Sequence, residues 1–416
     1  MVKKILKYTA FTFLGIIGIL VLGYYSFFGV EYATGSSYVD YLKSNQETVK
    51  IGENFSFKTL DKDIPAYELI LVGEIHGFKE PQSFDLSLFK HLHKKHGVRH
   101  YLAEMDIVQA RLMNEYLNSK NDSLLYKALN KWAVIQGRNN KDYYAKYSAL
   151  REFNQRQSGQ NKFEFIGIDK IQDWRLLTSQ LNNLIEKDNS IVPIEFDSKT
   201  VINEVKNRIS KMLLSDSIYS NDIEFLANLE RNITYVESKQ NRDVVMFNNL
   251  EALKTNVDLK GKKLYGYLGL FHVMQYRVNG RHPFASMVRE SDLDFADKIL
   301  SINFLFVDSY NVVPSKKLPE FLRTGPVNTR MVISTDNLLF MYIWGIQDFK
   351  RSTPEFHKSL INMSAEPNPY GNTNRLNSNF QIFPVVDMFE LNDPGKKYTH
   401  YSVFVRNSDW AEPFIK

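Results

Sequence analysis

The chain has 416 residues, 44% of them hydrophobic and 24% charged, a globular composition that can fill one large α/β domain or two smaller ones. Its net charge of +5 is small for this length and comes partly from Lys3, Lys4 and Lys7, so no basic stripe points to nucleic acid as a partner. There is no cysteine, which excludes disulfides, thiolate catalysis, Cys-ligated zinc or iron–sulfur centres, and an acylated-cysteine anchor.

Residues 8–30 carry no charge and include the run Phe13-Leu14-Gly15-Ile16-Ile17-Gly18-Ile19-Leu20-Val21-Leu22. A bilayer core needs about 20 such residues in a helix, so this segment predicts one transmembrane helix. The lysines before it place the amino terminus inside and the rest of the chain outside the cytoplasm, as a single-pass membrane protein. A cleaved signal peptide is the competing reading. Its apolar stretch would be shorter and would end in small residues, whereas Tyr24, Tyr25, Phe27 and Phe28 form an aromatic belt. Residues 1–30 are therefore read as the anchor, the polar stretch 31–65 as a stalk, and 66–416 as the folded body.

Within that body strand and helix patterns alternate. A strand is expected over 67–74, a helix over 82–96 with Phe84, Leu88, Phe89 and Leu92 at helical spacing, and a second strand from Val98 to Met105 after Gly97. A Tyr- and Lys-rich helical stretch at 141–156 precedes a third strand at 162–169, and a fourth covers 263–271. Between the last two lies a long helical insertion, about 175–260. The tail contributes apolar runs at Phe304–Val307 and Tyr401–Val405, which should extend or flank the sheet. This order predicts an α/β fold with a mainly parallel central sheet, flanking helices and a helical insertion, preceded by the transmembrane helix.

All four strands end in polar groups: Glu74 and His76, then Glu104, then Asp169, then His272. Two of them end in the same word, Gly73-Glu74-Ile75-His76 and Gly269-Leu270-Phe271-His272. Open α/β sheets bind ligands at the carboxyl ends of their strands, so the repeated word predicts two histidines converging on one pocket. Imidazoles with carboxylates serve general-base catalysis or hold zinc, manganese or iron, and the residue types do not separate the two. His91, His93, His96 and His100 crowd another segment with Lys94, Lys95 and Arg99. The spacing of His91 and His93 splits them between helix faces, so this cluster reads as a solvated basic helix end rather than a metal site. No His-Glu-x-x-His, Gly-x-Ser-x-Gly, P-loop or dinucleotide fingerprint occurs. In Asn241-Arg242-Asp243, Asp243 reads most simply as a first-turn helix residue.

These words resemble the erythromycin-esterase-like superfamily, with its ChaN-like haem-uptake and TraB/Tiki relatives. The matching stretches are Gly73–Gly77, Leu102–Met105, Phe165–Asp169 and Gly269–His272, in order. Arg242, Asp243, Met246 and Asn249 match the Arg-Asp-x-x-Met-Ala-x-Asn signature of the esterase branch, with Phe247 in place of alanine. The resemblance implies that Glu74, His76, Glu104 and His272 are catalytic and that Arg242 points into their cleft, with Asp169 and Asp243 as further candidates. It implies hydrolysis of an ester or amide in a small-molecule or peptide substrate. The alternatives are a Tiki-like peptidase in which Glu74, His76, Glu104 and His272 hold a divalent metal ion (manganese, zinc or cobalt), and a ChaN-like surface protein binding haem or a metal. Gly-Glu-Ile-His is closer to the ChaN and Tiki form than to the esterase form.

Overall fold

Apolar runs without polar alternation need burial on both faces, and helices on either side of one eight-stranded sheet supply it. The computed structural model describes residues 2–130, 140–185, 200–214, 220–256, 261–332, 334–338, 341–381, 391, 393 and 396–414. Its central strands are β1 (Gln46–Lys50), β2 (Leu69–Glu74), β3 (His100–Ala103), β4 (Glu164–Gly167), β5 (Leu264–Gly269), β6 (Ile299–Val307), β7 (His357–Asn362) and β8 (Tyr401–Arg406). They lie in the order β1-β7-β8-β6-β2-β5-β3-β4. From β8 across to β4 every neighbouring pair is parallel, while β7 runs antiparallel to both β8 and β1.

Alternation along β2 divides the core. Ile70 and Val72 face helices Glu80–His96, Ile107–Asn118 and Lys141–Gln155, through side chains such as Phe84, Leu112 and Leu150. Leu69 and Leu71 face Met246, Leu250 and Phe284 on the other side. The expected insertion is represented by helices Trp174–Ile185, Val201–Leu213, Ser220–Glu237 and Arg242–Asn256, while 186–199, 215–219 and 257–260 lie outside the described residues. The tail supplies β6 in large part, β7, β8 and the hairpin Tyr310–Pro314/Asn328–Val332, so it extends the sheet.

Residues 31–65 correct the reading of this segment as a stalk. They form helix Ser36–Ser44, strand β1, which pairs with β7 along its length, and helix Lys58–Asp63. Leu42, Phe55, Phe57, Leu60 and Ile64 are buried. Polar composition concealed this because β1 is an edge strand, with only one side paired and no need to be apolar.

The amino-terminal helix Val2–Ala33 is long and apolar enough over Phe11–Ala33 to cross a membrane. Its last turns are tied to the body. Phe27 and Phe28 pack against Tyr342, with ring centroids 5.5 and 5.3 Å away. Glu31 is fully buried and accepts the Gly345 N–H at 2.6 Å and the Tyr342 hydroxyl.

One pH prediction arises from the entry to β8. His400 Nδ1 accepts the Gln275 side-chain amide at 3.1 Å and the Ser301 N–H at 3.3 Å. Burial, helped by Lys397, pushes its imidazole from 6.5 down to about 4. A histidine depressed in the folded state binds fewer protons than in the unfolded chain across that window, so acid favours unfolding. Stability contributed by neutral His400 should be complete above pH 6.5 and lost as the pH falls towards 4. Thermal melts followed by circular dichroism across this range check it, and His400→Gln should show a shallower decline.

Candidate functional site

Parallel pairing brings the repeated words together. Glu74 and Gly269 are register partners across β2 and β5, as are Gly73 and Leu268. On the other side of β5, Ala103 of β3 is level with Tyr267, so Glu104 leaves its strand beside Gly269. The fit requires glycine at position 73: a Cβ there would collide with Val273 Cγ2 and come within 3.0 Å of Leu270 Cα. Gly269 lies at the centre of the converging groups. A Cβ on it would meet Glu104 Oε2 at 3.3 Å, His272 Cδ2 at 3.5 Å and His76 Nε2 at 3.7 Å. Both imidazoles therefore face each other across one glycine.

Each histidine has its own carboxylate. His76 Nδ1 lies 2.7 Å from Glu74 Oε1, and His272 Nδ1 lies 2.6 Å from Asp243 Oδ1. A carboxylate beside Nδ1 favours the tautomer with the proton there. Glu74 is held by neutral donors: Tyr143 donates to Oε1, and Tyr267 (2.6 Å) and Gln82 (2.8 Å) donate to Oε2. Burial and the adjacent Glu74 push the Tyr267 phenol well above its usual range, so it remains a donor. Asp243 Oδ1 also accepts the Phe284 N–H at 2.8 Å, which fixes it from a second element. His76 is the accessible member of the set, its side chain 30% exposed against 10% for His272.

Glu104 reaches the same glycine. Its Oε2 accepts the Gly269 N–H at 2.5 Å, and its Oε1 accepts Arg242 Nη2 at 2.5 Å and lies 4.0 Å from His272 Nε2. Arg242 also grips Asp169 with two donors, Nε at 2.8 Å and Nη2 at 2.5 Å. Burial would lower the guanidinium pKa, but Asp169 and Glu104 raise it well above its usual range. Asp106 caps helix Ile107–Asn118 next to Asp169; burial pushes it up to about 6 against the Gln109 and Gln172 N–H groups. Four paired carboxylates, one arginine and two imidazoles thus converge at the carboxyl ends of the strands.

No family model and no curated protein sequence matches the chain. Solved structures do. A Bacillus cereus protein superposes with a TM-score of 0.61 at 13% identity, covering 91% of this chain and 99% of its own. A succinoglycan biosynthesis protein gives 0.61 at 14% identity over the same shares. An erythromycin esterase, EreC, in its open conformation gives 0.57 at 13% identity, covering 89% of this chain and 99% of its own. The chain has the fold of an erythromycin esterase. At these identities the likeness concerns fold, and it agrees in fold with the resemblance read from the sequence words.

The structure brings Glu74, His76, Glu104, Arg242 and His272 together around Gly269, with Asp169 behind Arg242 and Asp243 behind His272. Asp243 is both a first-turn residue of helix Arg242–Asn256 and the partner of His272, so the simple helix-start reading covers half of its role. Sequence reasoning missed Tyr143, Gln82 and Tyr267. Tyr267 had a detectable signal: a hydroxyl inside a buried strand needs an acceptor, and here it is Glu74.

Proposed function

We propose that the protein is a membrane-anchored hydrolase, with its catalytic body outside the cytoplasm, that cleaves an ester or amide in a small-molecule or peptide substrate. The observation that carries this reading is the pair of histidine–carboxylate dyads meeting, with Glu104, around Gly269. The fold shared with an erythromycin esterase is compatible with it.

In the proposed reaction His76 Nε2, oriented by Glu74, takes a proton from a water molecule as that water attacks the carbonyl carbon. The carbonyl oxygen becomes an oxyanion and meets the protonated Nε2 of His272, whose positive charge Asp243 stabilises. Collapse breaks the bond to the alkoxide or amine, which leaves with the proton held on His76. Glu104, fixed by the Gly269 N–H and Arg242, orients the water. Arg242 is engaged by two carboxylates, which suits it to positioning Glu104 more than to meeting the oxyanion directly.

A divalent metal ion is the second reading. Its support is that carboxylates on both Nδ1 atoms are the usual outer shell of metal-bound histidines. His76 and His272 would hold the ion, and its chemistry would be to acidify a bound water. Glu74 and Glu104, each with both oxygens accepting hydrogen bonds, would orient the site instead of serving as ligands. Full-length protein in detergent micelles should hydrolyse at least one member of an ester and amide panel, and chelation should leave turnover intact. Loss of turnover on chelation with recovery on adding manganese, zinc or cobalt would replace the metal-free mechanism. A Soret band on adding haem, lost in His76→Ala and His272→Ala without hydrolysis of any panel member, would favour the haem-binding alternative.

Membrane anchoring rests on Phe11–Ala33 together with the docking of Phe27, Phe28 and Glu31 on the body, contacts that a cleaved signal would remove. Protease added to intact spheroplasts should digest a carboxyl-terminal tag. A fully protected tag would reverse the topology.

A further inference from the structure

At the carboxyl end of helix Glu80–His96 a second constellation involves none of the residues assigned above. Asp61, on helix Lys58–Asp63, receives two imidazoles on a single oxygen: His91 Nε2 lies 2.7 Å and His96 Nε2 2.8 Å from Oδ1. The three donor atoms all fall within 4.8 Å of one another. Lys95 Nζ sits 2.5 Å from the other oxygen, Oδ2. His93, in the same helix, takes no part; it is buried and bonds the Asn161 carbonyl at 2.8 Å. The i, i+5 pair at the helix end, not the i, i+2 pair weighed from the sequence, is the one that converges.

We propose that Asp61, His91 and His96 form a zinc-class cation site, separate from the hydrolytic cleft, with water completing the coordination. Two imidazole nitrogens and one carboxylate oxygen are a borderline donor set that suits zinc and its neighbours better than calcium or magnesium. Zinc takes such donors at about 2.0–2.2 Å, so atoms now 2.7–2.8 Å apart need separate by only roughly half an ångström to surround it. Lys95 need not leave: with Oδ1 on the metal, its bond to Oδ2 is an outer-shell contact that holds the carboxylate in place. The Phe57 ring, centred 5.0 Å from the His91 ring, shields one side, and the partial exposure of all three ligands leaves an open side for ion entry and water. Asp61 precedes β2 and the histidines follow it. A bound ion would therefore cross-link the segment leading into the Glu74 strand with the helix leaving it.

The test is zinc binding by full-length protein in micelles, measured by equilibrium dialysis and by thermal melts with zinc alone as ligand. The wild-type protein is expected to bind one equivalent through this site and to melt at higher temperature as zinc is raised. His96→Ala and Asp61→Asn should each weaken that binding by at least about 100-fold and abolish the thermal shift, while the His76→Ala/His272→Ala double variant keeps both. His91→Asn serves as an independent ligand change should either of the first two fail to fold. A wild-type protein that binds no zinc, or zinc binding that survives the loss of His96 and vanishes only with His76 and His272, overturns the proposal and leaves Asp61 as an ion-pair anchor.

Discussion

Replacing Glu104 by glutamine is expected to cut turnover by about 10²–10⁴-fold, the range that one positioned acid–base group contributes. Glutamine is isosteric and its amide oxygen can still accept the Gly269 N–H that Glu104 Oε2 now accepts. What disappears is the negative charge beside His272 Nε2 and Arg242. Arg242 keeps its two-donor grip on Asp169, so no guanidinium is stranded without a partner and the melting temperature should move by only a few degrees. Steady-state kinetics with any hydrolysed ester, alongside a thermal melt, checks both halves. An enzyme with full turnover would show that Glu104 merely closes a strand end. A collapsed melt would show that its role is structural.

Asp243→Asn should cost turnover on a similar scale, about 10³–10⁴-fold, by a different route. The asparagine amide can present N–H in place of oxygen to His272 Nδ1, which would favour the tautomer with the proton on Nε2 and remove the charge that stabilises an imidazolium. Geometry should survive, because helix Arg242–Asn256 is also held by Asn249, whose amide donates to the Ile168 carbonyl at 3.0 Å. The loss should therefore fall on kcat with KM little changed. A change confined to KM would place Asp243 in substrate binding.

The parts of this fold that were legible in the sequence are those whose burial is unconditional. β2, β3 and β5 are covered on both faces, so Leu69–Val72, Tyr101–Ala103 and Leu264–Leu268 had to be apolar runs, and their polar ends stood out. Edge and antiparallel positions carry no such demand. β1 reads Gln-Glu-Thr-Val-Lys, and β7 opens with His357 and Lys358, the latter buried only because Glu80 accepts its ammonium at 2.7 Å. Pairing of that kind cannot be read from either residue alone. The same limit applies at the site. His76 and Glu74 share one word, but Tyr143, which secures Glu74, comes from a helix on the far side of β3 in sequence, and only the folded sheet brings the two together.

The measurement that bears most directly on the central claim, one active site built from two histidine–carboxylate pairs, is a double-mutant cycle on turnover with His76→Ala, His272→Ala and the combined variant. Groups that act as one unit are strongly non-additive, because removing either disables the machinery that both serve. Each single change should abolish nearly all turnover above background, and the double variant should be no slower than the worse of the two. If one histidine is dispensable, or if the two losses multiply, the histidines at Gly73-Glu74-Ile75-His76 and Gly269-Leu270-Phe271-His272 are neighbours in the fold without being partners in the chemistry.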